Sequence, residues 1–274
     1  MNYFDSHAHY DDKRFKQDRE ELLRELLPSC GVSNVINVGC DVKSSEMSIH
    51  LAEKYDYIYA AVGVHPHELY DMSSQTIAKL KKLSEHKKVV AIGEIGLDFY
   101  YDYSDRDAQR YWFRRQIQLA NEQKMPIVIH AREADQEVMD ILREEGAFSE
   151  ERKSWFPQRY DGSGDARVLL HCFSGSRELG QQYVKLGATI SVAGPVTYKN
   201  NKKTVAVVEA LPIEVLLVET DSPYLTPVPF RGKRNIPPYV EYTAAKVAEI
   251  KGLTLEETAA RTKENAMRFF DVRE

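Results

Sequence analysis

Residues 126–130 read Pro-Ile-Val-Ile-His, an unbroken apolar run that ends on a polar residue. Such a short β-branched run is typical of a strand that is buried on both faces of a parallel sheet. Further short β-branched runs occur at residues 2–7, 34–38, 58–64, 89–95, 168–171, 188–192 and 215–219. The sequence therefore contains eight candidate strands.

Segments with helical spacing of apolar residues separate these strands, at residues 19–27, 105–123, 181–186, 204–211 and 238–251. A last helix is expected to begin at Thr254, where Glu257 completes a capping box. Strand followed by helix, eight times in about 270 residues, predicts a TIM (β/α)₈ barrel of the α/β class. A doubly wound sheet is the structural alternative, but the sequence has no glycine-rich phosphate turn.

We expect a single TIM-barrel domain over residues 1–274. The charged and aromatic segment 147–165 joins the fifth helix to the sixth strand. Such a connection opens on the N-terminal face of a barrel, opposite the usual active site. This segment is therefore predicted to be a structural or interaction loop with no catalytic part.

Composition limits the classes of function. The chain is 43% hydrophobic and 29% charged, as globular proteins are, and its formal net charge of −5 argues against a general nucleic-acid coat. It has no signal-like N-terminus, no apolar stretch long enough to span a bilayer, and three cysteines without a C-x-x-C pair. We expect a cytoplasmic protein that has no disulfide framework and no membrane association.

Polar residues with metal-binding side chains follow five of the candidate strands, where a barrel places its active site. They are His7, His9, Glu94, His130, His171 and Asp221. The pair His7 and His9 can face the same side of a strand because residues two apart point the same way. A lone H-x-H is more often structural, but six such residues left buried without a partner would be costly, and a metal explains them together.

Four histidines and two carboxylates exceed what one catalytic zinc ion takes, so they favour a two-metal centre. Glu94 has two oxygens and a central place in strand order, which suits a bridge between the ions. A water between the ions would have its pKa lowered towards 7. Asp221 could bind one ion and accept the proton of that water, so we expect Asp221 and Glu94 to be catalytic.

Several motifs resemble those of the TatD family of deoxyribonucleases, in family order over nearly the whole chain. They are Phe-Asp-Ser-His-Ala-His (4–9), Gly-Val-His-Pro-His (63–67), Gly-Glu-Ile-Gly-Leu-Asp (93–98), Pro-Ile-Val-Ile-His-Ala-Arg (126–132), His-Cys-Phe-Ser-Gly (171–175), Glu-Thr-Asp-Ser-Pro-Tyr-Leu (219–225) and Arg-Gly-Lys-Arg-Asn (231–235). The residues after Asn235 are Ile-Pro-Pro, where the family commonly has an acidic residue before the proline.

This resemblance implies a barrel of the amidohydrolase-like superfamily that hydrolyses phosphodiester bonds in DNA with divalent metal. It assigns His7, His9 and Asp221 to a first ion, His130 and His171 to a second, and Glu94 to both. The expected substrate is DNA that is single-stranded or has 3′ ends, and cleavage as a 3′–5′ exonuclease or as an endonuclease stays open. We also expect a monomer with no stable protein partner. Imidazole-rich sites suit zinc, iron, manganese or cobalt, whereas the resemblance suggests magnesium.

Substrate contacts are predicted from charged residues near the barrel mouth. His65 is expected to hold a phosphate or polarise the leaving group, with a simple turn residue as the alternative. Arg231, Lys233 and Arg234 in the loop after strand eight, and Arg132 just past His130, are predicted to contact phosphates. Aromatic residues 99–103 could stack on a splayed base or pack under the following helix.

Two other functions stay open at this point. The same metal site could hydrolyse a small ester, lactone, amide or phosphoester in place of DNA. A catalytically idle barrel that acts as a binding or scaffold protein is the third, and the complete ligand set argues against it.

Overall fold

The computed structural model describes residues 1–273 and contains a single eight-stranded parallel sheet. The strands pair in chain order: β1 (Tyr3–Ala8), β2 (Val32–Val38), β3 (Ile58–Val62), β4 (Val89–Asp98), β5 (Ile127–Arg132), β6 (Val168–Leu170), β7 (Ala188–Val192) and β8 (Leu216–Val218). The ring closes beyond the end of β8, where Ala8 forms a parallel bridge with Ser222. The predicted TIM barrel is confirmed.

Eleven α-helices are present in residues 1–273: α1 (Arg19–Glu21), α2 (Leu27–Ser29), α3 (Val42–Lys54), α4 (Ser74–Ser84), α5 (Arg106–Glu122), α6 (Asp135–Glu144), α7 (Glu150–Ser154), α8 (Arg177–Leu186), α9 (Lys202–Ala210), α10 (Val240–Lys251) and α11 (Leu255–Phe270). A π-helical turn, Leu22–Leu26, joins α1 to α2. Short 3₁₀ turns cover Lys13–Phe15, Leu69–Asp71, Gly194–Thr197, Ile213–Val215 and Pro237–Tyr239. None of these helices is both long and apolar enough to cross a membrane.

Apolar side chains fill the inside of the barrel and α11 covers its lower end. Phe4, Val128 and Leu217 belong to one buried cluster with Phe269 and Phe270 of α11. The Phe4 and Phe270 rings stack with centroids 6.0 Å apart. The capping box predicted at Thr254 and Glu257 is present at the start of this helix. The N-terminal end of the barrel is thus closed by packing, and polar side chains are left to the other end.

Segment 147–165 contacts the chain at the N-terminal ends of the strands. Arg152 of α7 is fully buried and donates hydrogen bonds to the backbone oxygens of Met125 and Ala166, just before β5 and β6. Arg159 donates to the backbone oxygens of Val184 and Ala188, the latter at the start of β7. These arginines bind the segment to the lower rim, on the face opposite the residues described next.

Candidate metal centre

Register in the sheet decides which side chains reach the inside of the barrel mouth. Val128 and Leu169 belong to the interior cluster, and His130 and His171 lie two residues further along, so they point the same way. Phe4 and Ala91 also belong to this cluster, but His7 and Glu94 lie three residues beyond them. On regular strands His7 and Glu94 would face outwards.

One extra residue in each of two strands corrects this alternation. Asp5 pairs with Val35 and Ala8 with Asn37, so three steps along β1 match two along β2. In the same way, three steps from Ile92 to Ile95 match two from Ile127 to Ile129. A bulge of this kind re-aims the side chains that follow it. Both bulges therefore turn the side chains of His7 and Glu94 towards the mouth.

The two oxygens of Glu94 face two separate groups of imidazoles. Oε1 lies 2.8 Å from His171 Nε2 and 2.9 Å from His130 Nδ1. Oε2 lies 3.4 Å from His7 Nε2 and 3.9 Å from His9 Nε2. This arrangement places Glu94 between the two groups that sequence reasoning assigned to separate ions.

Asp221 lies on the side of the His7–His9 pair. Its Oδ1 is 3.4 Å from His9 Nε2 and 3.8 Å from His7 Nε2, and the two Nε2 atoms are only 3.1 Å apart. His171 is close to both groups, because its ring stacks on that of His7 with centroids 3.9 Å apart. All six predicted ligands thus come together at one place, and the division of His171 between two ions is less sharp than the resemblance implies.

In three histidines, one ring nitrogen faces away from the middle of the centre and lies close to a carboxylate or a backbone carbonyl oxygen. His9 Nδ1 lies 2.8 Å from the Val38 oxygen, His171 Nδ1 lies 3.1 Å from Glu219 Oε1, and His130 Nε2 lies 3.0 Å from Asp98 Oδ2. Such partners fix the ring orientation of metal-binding histidines and raise their basicity. Sequence reasoning missed Glu219 and Asp98 as site residues. The sequence does carry a signal for both residues. Asp98 lies four residues after Glu94, and Glu219 lies two residues before Asp221.

The neighbouring histidines keep the Glu94 carboxylate ionised although it is buried. Burial alone would raise the pKa of the Glu94 carboxyl, but His171, His65 and His130 lower it well below its usual value. Burial opposes protonation of His171, yet Glu94 and Glu219 raise its pKa well above the ordinary imidazole value. His171 therefore favours its protonated form beside Glu94, and a cation bound between these two groups would displace that proton.

His65 is buried at the edge of the centre. Its Nε2 lies 3.6 Å from Glu94 Oε1, and its Nδ1 accepts the backbone N–H of His67 at 3.1 Å. Burial and the nearby His130 lower the pKa of His65 well below the ordinary value, so the ring is neutral. With Nδ1 used as an acceptor, the proton lies on Nε2. This favours a hydrogen-bond donor at His65 over a metal ligand.

The predicted phosphate-binding residues have different surroundings. Arg132 is exposed beside the Tyr100 and Tyr101 rings, and Arg231 is exposed over the Tyr198 ring at 4.4 Å. Lys233 is also exposed. Arg234 instead donates to the Arg14 backbone oxygen and to both oxygens of Asp18. The structure therefore ties Arg234 to the first loop and leaves the other three cations at the surface.

The loop after β8 is fastened from inside. Asn235 is fully buried, and its amide donates at 2.7 Å to the backbone oxygens of both Thr220 and Tyr224. This amide holds the chain beside Asp221 without the acidic residue that the family commonly has before the proline.

Comparisons with known proteins agree on one family. Residues 4–271 match the family model described as TatD-related DNase. The chain is 44% identical to the metal-dependent hydrolase YabD of Bacillus subtilis, over 98% of this chain and 99% of that protein. It is 31% identical to the 3′-5′ ssDNA/RNA exonuclease TatD of Erwinia tasmaniensis, over 98% of this chain and 100% of that one.

A solved structure supports the same fold. The crystal structure of YJJV, a TatD homologue from Escherichia coli K12, superposes with a TM-score of 0.86 at 30% identity, and the match covers 99% of this chain and 98% of that one.

Proposed function

Since the chain belongs to the TatD-related DNase family, we propose that it is a two-metal phosphodiesterase that removes nucleotides from the 3′ end of single-stranded DNA. The observation that carries this proposal is the placement of Glu94, with one carboxylate oxygen towards His130 and His171 and the other towards His7 and His9. A relative named a 3′-5′ ssDNA/RNA exonuclease supports the choice of substrate and polarity.

The residues of the centre fit divalent ions. Imidazole and carboxylate groups converge within bonding reach of common points, in sets such as His7, His9 and Glu94, or His7, His171 and Asp221. Outer partners already hold His9, His171 and His130 in the orientation of ligands. Four imidazoles with two carboxylates suit manganese, cobalt, zinc or iron better than magnesium. We propose that His7, His9 and Asp221 hold one ion, His130 and His171 the other, and Glu94 both.

Two ions, when bound, polarise the phosphate oxygens and lower the pKa of a coordinated water towards 7. Asp221 would accept a proton from the attacking water, because it is only 8% exposed, carries an oxygen in the centre and lies at the mouth. As the water oxygen bonds to phosphorus, the bond from phosphorus to the leaving sugar oxygen would break, and that sugar oxygen would take up a proton from solvent. The neutral His65 donates its Nε2 hydrogen to an oxygen of the reacting phosphate.

Loop cations complete the substrate site. Arg132 lies exposed at the last position of β5, and Arg231 and Lys233 lie exposed on the loop after β8. We propose that they contact phosphates of a strand that crosses the mouth, whereas Arg234 has the structural role of holding the loop. A monomer contains the whole centre, so no second chain is needed.

The test uses purified protein with Mn²⁺ or Mg²⁺ and single-stranded DNA labelled at its 5′ or 3′ end. The wild type should shorten the strand from its 3′ end. The Asp221→Asn variant should lose about 100- to 10,000-fold in rate, the range for removing a positioned general base. Equal activity of the two proteins, or hydrolysis of small esters with none on DNA, would overturn the assignment.

A further inference from the structure

Three exposed tyrosines stand beside the metal centre. Tyr100, Tyr101 and Tyr103 are 53%, 44% and 69% exposed and follow β4, the strand that carries Glu94. The Tyr101 and Tyr103 rings stack with centroids 5.3 Å apart, and Tyr100 meets Tyr101 edge to face at 4.9 Å. Phe99, by contrast, packs against the core. Residues 100, 101 and 103 therefore form one aromatic patch open to solvent, which we call the tyrosine surface.

Asp98 fixes this surface to the metal centre. Its Oδ1 accepts the backbone N–H groups of Tyr100 and Tyr101 at 3.1 and 2.9 Å, while its Oδ2 lies 3.0 Å from His130 Nε2. The buried Gln109 side chain bonds to the backbone of Asp98 and to the Ser104 oxygen, at the two ends of the loop. The tyrosines are thus held in a preformed loop, and one carboxylate sets both their position and that of a proposed ligand.

Positive charge lies directly against these rings. The Arg132 guanidinium carbon is 4.3 Å from the Tyr100 ring centroid and 4.7 Å from that of Tyr101. On the side of the centre, the His67 ring meets Tyr103 edge to face at 4.8 Å, and His67 Nε2 lies 2.9 Å from Asp98 Oδ2. Aromatic faces beside a cation are what single-stranded nucleic acid meets in proteins that stack its bases and hold its backbone.

We propose that the tyrosine surface stacks on an unpaired base close to the cleaved phosphate while Arg132 holds a neighbouring phosphate. This inference rests on the proposed function, and it names the feature that selects single strands. Bases in a duplex are covered by their neighbours, so only an unpaired strand can offer a base face to the tyrosines. A small ester or lactone would leave this surface unused.

The experiment measures binding of cleavage-resistant oligonucleotides that carry phosphorothioate linkages at the 3′ end, by fluorescence anisotropy with Mn²⁺ present. One series has a single abasic nucleotide at each of the last few positions. In the wild type, one abasic position should weaken binding about 5- to 150-fold, which corresponds to the loss of one stacked base. The Tyr101→Leu and Tyr103→Leu variants should weaken binding of the intact strand and no longer distinguish it from the abasic one.

Matched variants control for folding and for general surface changes. Tyr101→Phe keeps the ring and should bind as the wild type does. Tyr160→Leu removes a tyrosine that is 55% exposed in segment 147–165, on the opposite face, and should also leave the base preference unchanged. Loss of the preference in Tyr160→Leu, or its persistence in Tyr101→Leu and Tyr103→Leu together, would overturn the inference.

Binding and cleavage separate the two proposals. If the wild type prefers intact over abasic strands but cuts neither, the nuclease assignment fails and the stacking surface stands. If it cuts DNA from the 3′ end but binds both strands equally, only the stacking surface is overturned. In a cutting assay the leucine variants should raise KM far more than they change kcat, because stacking is a contact made before as well as during reaction.

Discussion

Replacing Glu219 with glutamine tests whether a buried carboxylate sets the metal affinity of one side of the centre. Glu219 is fully buried, and its two oxygens accept hydrogen bonds from His171 Nδ1 and from the Ser191 hydroxyl. Glutamine has nearly the same shape and keeps an acceptor for His171. The exchange therefore removes the negative charge that makes His171 a stronger ligand, with little change in packing.

The expected loss follows from the type of hydrogen bond. A bond to a charged group contributes about 1.5–3 kcal/mol and a neutral one about 0.5–1.5 kcal/mol. The difference, roughly 1–2 kcal/mol, corresponds to affinity weakened about 5- to 30-fold. His171 lies on the Oε1 side of Glu94, with its Nε2 2.8 Å from that oxygen, whereas His9 lies on the Oε2 side, with its Nε2 3.9 Å from Oε2. Because Glu219 contacts His171, the ion proposed on the Oε1 side should lose most of this affinity.

Isothermal titration of Mn²⁺ into EDTA-treated protein measures both affinities. We expect two binding events in the wild type and, in Glu219→Gln, one event weakened about 10-fold while the other changes less than about twofold. Glu178→Gln, whose exposed side chain on α8 pairs with Arg177, is the matched charge control and should bind as the wild type does. Equal weakening of both events, at an unchanged melting temperature, would refute the assignment of His171 to one ion.

Two further predictions concern stability and substrate charge. Gly96→Ala should lower the free energy of unfolding by about 3 kcal/mol or more, since the added Cβ would lie 1.9 Å from the His130 backbone oxygen at a φ of +151°. Gly162→Ala, at a φ of +79° with nothing within 4 Å, should lose only about 1–2 kcal/mol in the same urea titration, and equal losses would contradict the steric argument. Arg231→Ala combined with Lys233→Ala should reduce the slope of log affinity for single-stranded DNA against log salt by about 1.4, for two phosphate contacts. Arg234→Ala should leave that slope unchanged and lower stability by about 1 kcal/mol, because its bond to Asp18 is only partly screened by solvent; a changed slope would contradict its structural role.

The strands could be predicted because a strand that is buried on both faces is a continuous apolar run. Such a run can be recognised from the local sequence without knowing which strands pair with it. All eight candidate runs overlap an observed strand, although β1 extends to Ala8, β2 begins earlier at Val32, β4 extends to Asp98 and β5 to Arg132. Helix α3 was missed because Ser45 and Ser48 occupy buried positions on it, where apolar residues would have shown the helical spacing. Ser48 accepts a hydrogen bond from the Asn37 amide, so its burial depends on a contact that is remote in sequence.

The start of α5 shows why a helix end is hard to place from sequence. The cap is Asp105, whose Oδ1 accepts the N–H groups of Asp107 and Ala108. Ser104 instead offers its backbone oxygen to Gln109. Both residues are good caps in isolation, and only the path of the loop decides between them.

Cys172 shows the limit of arguing from strand alternation. On a continued strand its side chain would point away from that of His171. However, β6 ends at Leu170 and Cys172 has a φ of +41°, so strand alternation does not hold at this position. Burial, followed by the charges of Glu219 and Asp221, raises the pKa of its thiol well above the ordinary value.

The six candidate ligands and the residues around the substrate depend on different parts of the fold. The ligands lie on or just beyond the carboxyl ends of five strands, where bulges and interior packing fix them, so the sequence of each strand end is enough to suggest them. Arg231 and Arg234 differ in role only because Asp18, 216 residues away in the chain, meets one of them. Substitutions in the loops should therefore change the binding of DNA and leave metal affinity unchanged. Glu219→Gln should weaken metal affinity and leave the preference for DNA strands unchanged. If the tyrosine variants weakened Mn²⁺ binding as well, Asp98 would have to transmit loop changes to His130, and the two parts would not be independent.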